Sequence, residues 1–168
     1  MIALDRTMWR YARPYQRTVC KHEDFEMTPL SLIEQVTASL NAHKVIRIKV
    51  GSMIPVVGKD FDEFQAQLDE LGGPTDGPIH KAGLYVLGDT AQVLRIGEGG
   101  KSSKRKDSGT MGHRVFTRIK DAPWKTEIRV ALFLPIQPPE LSRLAEQEAF
   151  AHHFQAEGRL PQYNYAWR

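Results

Sequence analysis

The stretch from Gly83 to Gly97, which reads GLYVLGDTAQVLRIG, decides the fold class. It contains two short apolar runs, residues 83–87 and 91–96, on either side of a polar turn at residues 88–90. Two apolar runs of strand length around a short Gly- and Asp-containing turn are typical of a β-hairpin. We therefore predict two antiparallel strands that are neighbours in one sheet.

The residues after the hairpin predict three more elements. A polar loop at 98–109 is followed by a short helix at 110–120 and by an alternating strand at 127–134. A helix then runs from 138 to about 157 and is expected to end at Gly158, since glycine commonly follows the last turn of a helix. The order β-β-α-β-α favours an α+β fold, with a small, mostly antiparallel sheet flanked by helices.

The residues before the hairpin predict an N-terminal α/β elaboration. Thr28-Pro29 is a typical start for a helix, with a capping hydroxyl and a proline in the first turn. Alternation from His43 to Val50 predicts a strand, and a capping box at Asp60 predicts a second helix. Glycines and prolines are dense at 72–78. We therefore place a boundary there, between an elaboration at 1–78 (a basic arm, helix, strand and helix) and a domain at 79–168.

Composition and charge set limits on partners and compartment. The 168 residues carry a formal net charge of +3, which is compatible with a polyanionic partner without requiring one. No stretch approaches the roughly 20 apolar residues of a membrane span, so no membrane partner is expected. Cys20 is the single cysteine and cannot form an internal disulfide, so a cytoplasmic location is the simplest expectation.

Two tripeptides in the hairpin carry a resemblance to a known family. Gly83-Leu84-Tyr85 and Arg95-Ile96-Gly97 are separated by nine residues. In this order and spacing they resemble the two tripeptides of the GIY-YIG nuclease family, over about residues 80–166. The family usually has a tyrosine where this chain has Arg95, although some members carry a basic residue there.

The resemblance extends to three later positions. The family has an arginine on the helix after the hairpin, where Arg114 fits best, with Arg118 one turn later and Arg105 as a third candidate. It has a glutamate on the helix after the third strand, where Glu148 fits. It often has an asparagine near the end of the domain, where Asn164 fits.

The resemblance implies metal-dependent hydrolysis of phosphodiester bonds, with the roles divided among these residues. Tyr85 would be the general base, Arg114 would bind phosphate, and Arg95 would either stabilise phosphate charge or favour the phenolate form of Tyr85. Glu148 would bind Mg²⁺ or Mn²⁺, which suits a lone carboxylate because Mg²⁺ keeps several of its water ligands. Arginine suits phosphate because its planar fork binds two oxygens at once.

Helix position gives a separate reason to choose Glu148. It follows the apolar row of Leu141 and Ala145 in its helix, and a carboxylate on a buried face is costly unless it is paired or binds metal. Glu146 lies on a different face and is predicted to be a solvated surface residue, with its use in the site as the fallback.

The expected partner is DNA, in double-stranded form, and the expected assembly is a homodimer. A basic run in the loop after the hairpin is predicted to contact backbone phosphates; it comprises Lys101, Lys104, Arg105 and Lys106. By size, the resemblance implies a restriction or phage-defence enzyme, with repair and mobile-element roles left open. The alternatives are a GIY-YIG-like module that binds nucleic acid without cleaving it, which Arg95 favours, and an interaction protein without a nucleic-acid role.

Overall fold

The computed structural model describes residues 26–72, 77–100 and 109–164, and the α+β prediction is confirmed in them. The described helices are α1 (Pro29–Ala42), α2 (Phe61–Gly72), α3 (Met111–Lys120) and α4 (Ser142–Glu157). The described strands are β1 (Lys49–Val50), β2 (Ile54–Val57), β3 (Gly83–Gly88), β4 (Val93–Gly99) and β5 (Val130–Gln137). Short 3₁₀ helices at Lys125–Glu127 and Pro139–Leu141 precede β5 and α4.

In this part of the chain the strands form one sheet in which every pairing is antiparallel. β3 pairs with β4, as the predicted hairpin requires, and β5 lies on the other side of β3. On its other side β5 pairs with both strands of the N-terminal segment: β1 lies against its C-terminal end and β2 against its N-terminal end. The segments before and after the predicted boundary therefore share one sheet.

Helices cover both faces of the sheet, because alternate residues of its central strands are buried on opposite sides. Leu84 and Val86 pack with α1 and α4, whereas Tyr85 and Leu87 pack with α2 and α3. All six residues of β3 are buried. A strand buried on both faces reads as a continuous apolar run, which is why residues 83–87 show no alternation.

Two predicted strands have different bounds in the structure. The strand predicted at 43–50 is reduced to Lys49–Val50, because β5 ends at Gln137 and offers no pairing partner further along. β2 at Ile54–Val57 was missed, since its four residues do not alternate clearly. The third strand of the core begins at Val130 rather than 127, because a 3₁₀ turn occupies Lys125–Glu127.

The predicted helix starts are confirmed by their caps. Thr28 accepts a hydrogen bond from the amide of Ser31 at 3.2 Å, and Asp60 accepts one from the amide of Glu63 at 2.9 Å. Thr110 caps α3 in the same way, through the amide of His113. Gly158, in the left-handed conformation, ends α4.

Candidate active site

A cavity of about 900 Å³ opens along the free edge of β4. Its wall combines residues of β3 and β4, of α3 and the turn after it, of α4, and of the C-terminal segment. The cavity brings together five of the six residues predicted for the site: Tyr85, Arg95, Arg114, Arg118 and Asn164.

The Tyr85 side chain reaches this cavity across the neighbouring strand. Tyr85 is directly opposite Gly97 in the β3–β4 ladder, and only 2% of its surface is exposed. A Cβ atom on Gly97 would lie within 3.0 Å of the phenol oxygen and ring of Tyr85. The ring can therefore cross β4 only because residue 97 has no side chain. Among the described residues the Tyr85 hydroxyl has no hydrogen-bond partner.

The glycines of the hairpin also position α3, which carries two of the arginines. A Cβ atom on Gly99 would collide with the backbone of Met111, the first residue of α3. A Cβ atom on Gly83 would meet the carbonyl oxygen of Leu134 and the sulfur of Met111. The close approach that these glycines permit sets the first turn of α3 directly against the end of β4, and α3 then presents Arg114 and Arg118 to the cavity.

Arg95 links the cavity to the C-terminal segment. It is opposite Leu87 in the ladder, two residues before Gly97 and on the same face as Tyr85. Its Nη1 donates a hydrogen bond to the carbonyl oxygen of Tyr163. Its Nε is buried and has no partner in the described residues. The Nη1 of Arg95 thus holds the C-terminal segment, whereas its Nε has no hydrogen-bond acceptor among the described residues.

Asn164 closes the free edge of β4. Its side-chain oxygen accepts from the amide of Ile96 at 2.7 Å, and its side-chain nitrogen donates to the carbonyl of Ile96 at 2.6 Å. The amide of Tyr163 also donates to the carbonyl of Leu94 at 3.0 Å. These bonds satisfy backbone groups that an edge strand would otherwise expose. Asn164 therefore lines the cavity while both polar groups of its side chain are hydrogen-bonded to the backbone of Ile96.

Aromatic stacking holds the same segment from the other side. The rings of Trp124 and Tyr163 are stacked, with centroids 4.6 Å apart and planes 8° from parallel. The Tyr163 hydroxyl donates to Glu127 at 2.6 Å. Trp124 lines the cavity, and sequence reasoning missed it because no motif marks an aromatic in a turn.

The glutamate predicted for the site requires a correction. Glu148 does not line this cavity; its carboxylate lies 3.7 Å from Nε2 of His43 and 3.9 Å from Nε2 of His152. The carboxylate of α4 that does line the cavity is Glu146, which was predicted to be a surface residue.

Helix geometry explains why Glu146 lines the cavity and Glu148 does not. The buried stripe of α4 follows Ser142, Ala145 and Ala149. Successive residues of a helix differ in direction by about 100°, so Glu146 and Glu148 flank this stripe on opposite sides. The side of Glu146 faces the edge of β4, whereas the side of Glu148 faces α1.

Two further carboxylates line the cavity and were missed. Glu98 is the sixth residue of β4, opposite Leu84, and Asp121 is the residue that ends α3. Glu98 was assigned to the following loop, although its place directly after the second tripeptide could have indicated a strand position.

The electrostatic surroundings of Glu146 are mixed. Burial raises the pKa of its carboxyl above the usual 4.5, and the negative charge of Glu98 raises it further. Arg143, Arg114 and Arg95 act in the opposite direction but do not cancel these effects. Within the described residues, no salt bridge joins Glu98 or Glu146 to an arginine of the cavity. Charges of both signs therefore line the cavity without pairing.

Potential metal ligands in the described ranges are few. They contain no group of three or more His, Cys, Asp or Glu residues that could hold a metal ion. The basic run at Lys101, Lys104, Arg105 and Lys106 lies outside the described residues, as does the basic arm. In the described ranges no helix has the length and apolar character needed to span a bilayer.

Comparisons of the chain with protein-family models, with curated proteins and with solved structures found no match. The fold and the cavity define an α+β protein with a mixed-charge cleft at a sheet edge. The resemblance to GIY-YIG nucleases therefore rests only on the motif residues named in the sequence analysis.

Proposed function

We propose that this protein is a metal-dependent endonuclease that hydrolyses phosphodiester bonds in DNA. The observation that carries the proposal is the convergence of a phenol, three guanidinium groups and the carboxylate of α4 on a single cavity: Tyr85, Arg95, Arg114, Arg118 and Glu146. Phosphodiester hydrolysis needs an activated water molecule and positive charge around the phosphoryl oxygens. The cavity combines groups suited to both tasks.

The residues of the cavity are compatible with a divalent cation. Glu146 is a half-buried carboxylate without a salt bridge to any described residue, and such a group is costly without a compensating charge. Carboxylate oxygens with water in the remaining positions suit Mg²⁺ or Mn²⁺. Glu146 would hold the ion, and the ion would supply Lewis-acid polarisation of the phosphate.

The arginines would hold the phosphate and stabilise its developing charge. Arg114 and Arg118 are four residues apart in α3, so both extend from one side of the helix. A guanidinium can donate two parallel hydrogen bonds to phosphate oxygens. The unused Nε of Arg95 would add a donor from β4, while its Nη1 keeps the C-terminal segment in place.

As a phenolate, with its own proton first lost to solvent, Tyr85 would accept the proton of the attacking water, and the positive charges around the cavity would stabilise the phenolate. Its ring is fixed between β4 and the helices, so the hydroxyl has a defined position. The lack of a hydrogen-bond partner for this hydroxyl among the described residues leaves it available to a water or a substrate oxygen. In this role Tyr85 is the general base, as the resemblance implies.

The test is cleavage of supercoiled plasmid DNA in Mg²⁺ by the wild type and three variants. Tyr85→Phe and Glu146→Gln are each expected to reduce cleavage by about 100-fold or more, the usual scale for loss of an acid–base group or a charge-stabilising group. Glu148→Gln is the matched control, since the same change on the other side of α4 should leave cleavage near the wild-type rate. Equal cleavage by the wild type, Tyr85→Phe and Glu146→Gln would refute the site, and loss of cleavage with Glu148→Gln alone would restore the original assignment.

A non-catalytic module that binds nucleic acid is the second candidate. It is favoured by Arg95 in place of the second family tyrosine, and by the use of its Nη1 in a structural hydrogen bond. This candidate predicts salt-sensitive DNA binding without nicking in Mg²⁺ or Mn²⁺. The homodimer also remains a prediction, and sedimentation of the full chain with and without DNA would test it.

A further inference from the structure

A second concave surface lies at one end of the sheet, where β5 ends and β3 begins. We call this surface the basic groove, and its volume is about 610 Å³. Three exposed cationic side chains line it, from the loop before β1, from β1 and from the turn before β3: Arg47, Lys49 and Lys81. Among the described residues that line the groove, none is an aspartate or a glutamate. Positive charge is therefore concentrated here without a carboxylate to balance it.

The sheet places the two lysines on either side of β5. Lys49 is directly opposite Gln137 in the β1–β5 ladder. On the other side of β5, the amide of Ile136 donates to the carbonyl of Ala82 at 2.9 Å, so the residue before Ala82 lies beside the end of β5. Neighbouring strands are about 4.8 Å apart. The backbones of Lys49 and Lys81 are therefore separated by about two strand spacings, roughly 10 Å, and both side chains face one groove.

The turn that carries Lys81 is fixed against α3. The carbonyl of Lys81 accepts a hydrogen bond from the amide of Met111 at 2.9 Å. The preceding imidazole, His80, uses both nitrogens: Nδ1 lies 3.2 Å from the hydroxyl of Thr110, and Nε2 lies 3.1 Å from the carbonyl oxygen of Gly72. The protein itself thus occupies the Met111 amide and the imidazole, and the Lys81 side chain is left exposed at a defined position.

The cationic side chains of the groove have no counter-charge within the described ranges. No hydrogen bond or salt bridge joins the side chain of Arg47, Lys49 or Lys81 to a described residue. Like charges held near one another repel, and a polyanion relieves this repulsion. Gln137, between the two lysines, is exposed and adds a neutral donor of the kind that also contacts phosphate oxygens.

The basic groove adjoins the candidate active site. Thr110 lines the groove and caps α3, whose Arg114, one turn later, lines the cavity. Around the end of β4, a Cβ atom on Gly100 would lie 3.2 Å from the carboxylate of Glu98, a cavity residue. The same atom would lie 3.6 Å from the carbonyl oxygen of Pro139, a groove residue. A row of phosphates bound at the cavity can therefore continue into the groove.

We propose that the basic groove binds the sugar–phosphate backbone of DNA beside the cleavage site, through Arg47, Lys49 and Lys81. The inference rests on the proposed function for the identity of the polyanion. It adds a substrate-binding surface to which the segment before residue 78 contributes two of the three cations. Contacts of this kind set the affinity and the orientation of the duplex and carry no direct sequence information.

The experiment measures binding of the full chain to a fluorescein-labelled duplex by fluorescence anisotropy, in EDTA so that metal-dependent cleavage does not occur. Lys49→Gln and Lys81→Gln should each weaken binding by about three- to tenfold at roughly 0.1 M NaCl. Each should also lower the slope of log Kd against log salt concentration by about one, the change expected for one lost phosphate contact. Lys59→Gln is the matched control, because Lys59 is exposed, follows β2 at the opposite end of β5 and lines neither the groove nor the cavity.

Lys81→Arg guards against a folding defect in Lys81→Gln, because it keeps the charge and should bind the duplex like the wild type. Wild-type affinity and salt slope in both glutamine variants, an equal loss in Lys59→Gln, or no binding by the wild type would overturn the inference. Lysine-dependent binding to phosphatidylserine vesicles without binding to the duplex would overturn it as well, in favour of a membrane surface.

The nuclease proposal fails separately. A wild type that binds DNA through Lys49 and Lys81 but does not nick plasmid DNA in Mg²⁺ would refute the enzyme and leave the basic groove standing. A wild type that nicks plasmid DNA, with both glutamine variants binding the duplex as tightly as it does, would refute the groove and leave the enzyme standing.

Discussion

The ring of Tyr85 lies over Gly97, its direct partner in the β3–β4 ladder, and occupies the space that a side chain at 97 would need. This contact explains why the two tripeptides of the hairpin depend on each other. The tyrosine of one tripeptide requires the glycine of the other, because only glycine lets a buried phenol cross the strand and reach the open edge.

The first prediction concerns this pair. Gly97→Ala should destabilise the protein by about 1–3 kcal/mol, the usual cost of inserting a methyl group into a packed site. The displaced Tyr85 ring should also reduce DNA cleavage. Urea unfolding and plasmid cleavage would measure the two effects. Tyr85→Phe is the companion variant, because it removes the hydroxyl without changing the packing against residue 97. Gly158→Ala cannot serve as a glycine control for stability, because Gly158 has a positive φ that alanine disfavours.

The second prediction concerns the bridge between Asn164 and Ile96. Asn164→Ala removes two hydrogen bonds to the β4 backbone and should cost about 1–3 kcal/mol, the range for leaving buried polar groups unpaired. Asn164→Asp should also destabilise, because a carboxylate can accept from the Ile96 amide but repels the Ile96 carbonyl. Thermal unfolding at pH 7.5 would measure both. Wild-type stability in both variants would show that the bridge contributes nothing.

The third prediction follows from the raised pKa of Glu146. The pKa of Glu146 is higher in the folded state than the value of 4.5 in the unfolded state, so the folded state holds the proton more tightly. The free energy of unfolding should therefore fall as pH rises from 4.5 through the folded pKa. In EDTA, Glu146→Gln should therefore unfold at a higher temperature than the wild type at pH 7.5, with the difference disappearing below pH 4.5. Parallel curves for the two proteins across this range would contradict the prediction.

The fourth prediction concerns His153, which is 4% exposed and donates from Nδ1 to the carbonyl of Arg159 at 3.0 Å. Burial lowers the pKa of this imidazole below 6.5. As pH falls, His153 is therefore protonated in the unfolded state before it is protonated in the folded state. The free energy of unfolding of the wild type should fall as pH drops from 6.5 through the folded pKa. His153→Asn can keep the hydrogen bond and should remove this part of the pH dependence, as measured by melting temperature between pH 7.5 and 5. An unchanged slope would assign the acid sensitivity to other groups.

The sequence by itself determined the elements that depend on local chemistry. The hairpin at 83–97 follows from two apolar runs around a turn, and the starts of α1 and α2 follow from Thr28 and Asp60, whose side chains cap the next amides within a few residues. These interactions are local in the chain, so their residue types are visible as a pattern. The α+β class follows from the order of these elements.

Only the tertiary structure decided which side chains share the cavity. Glu146 and Glu148 are both glutamates of one helix, and their difference depends on which side of α4 faces β4 and which faces α1. Glu98 enters the site because β4 extends to Gly99, and Asn164 bridges to Ile96 because the C-terminal segment lies along the free strand edge. Packing between distant segments sets these relationships, and the spacing of residues along the chain does not encode the direction in which a packed helix faces.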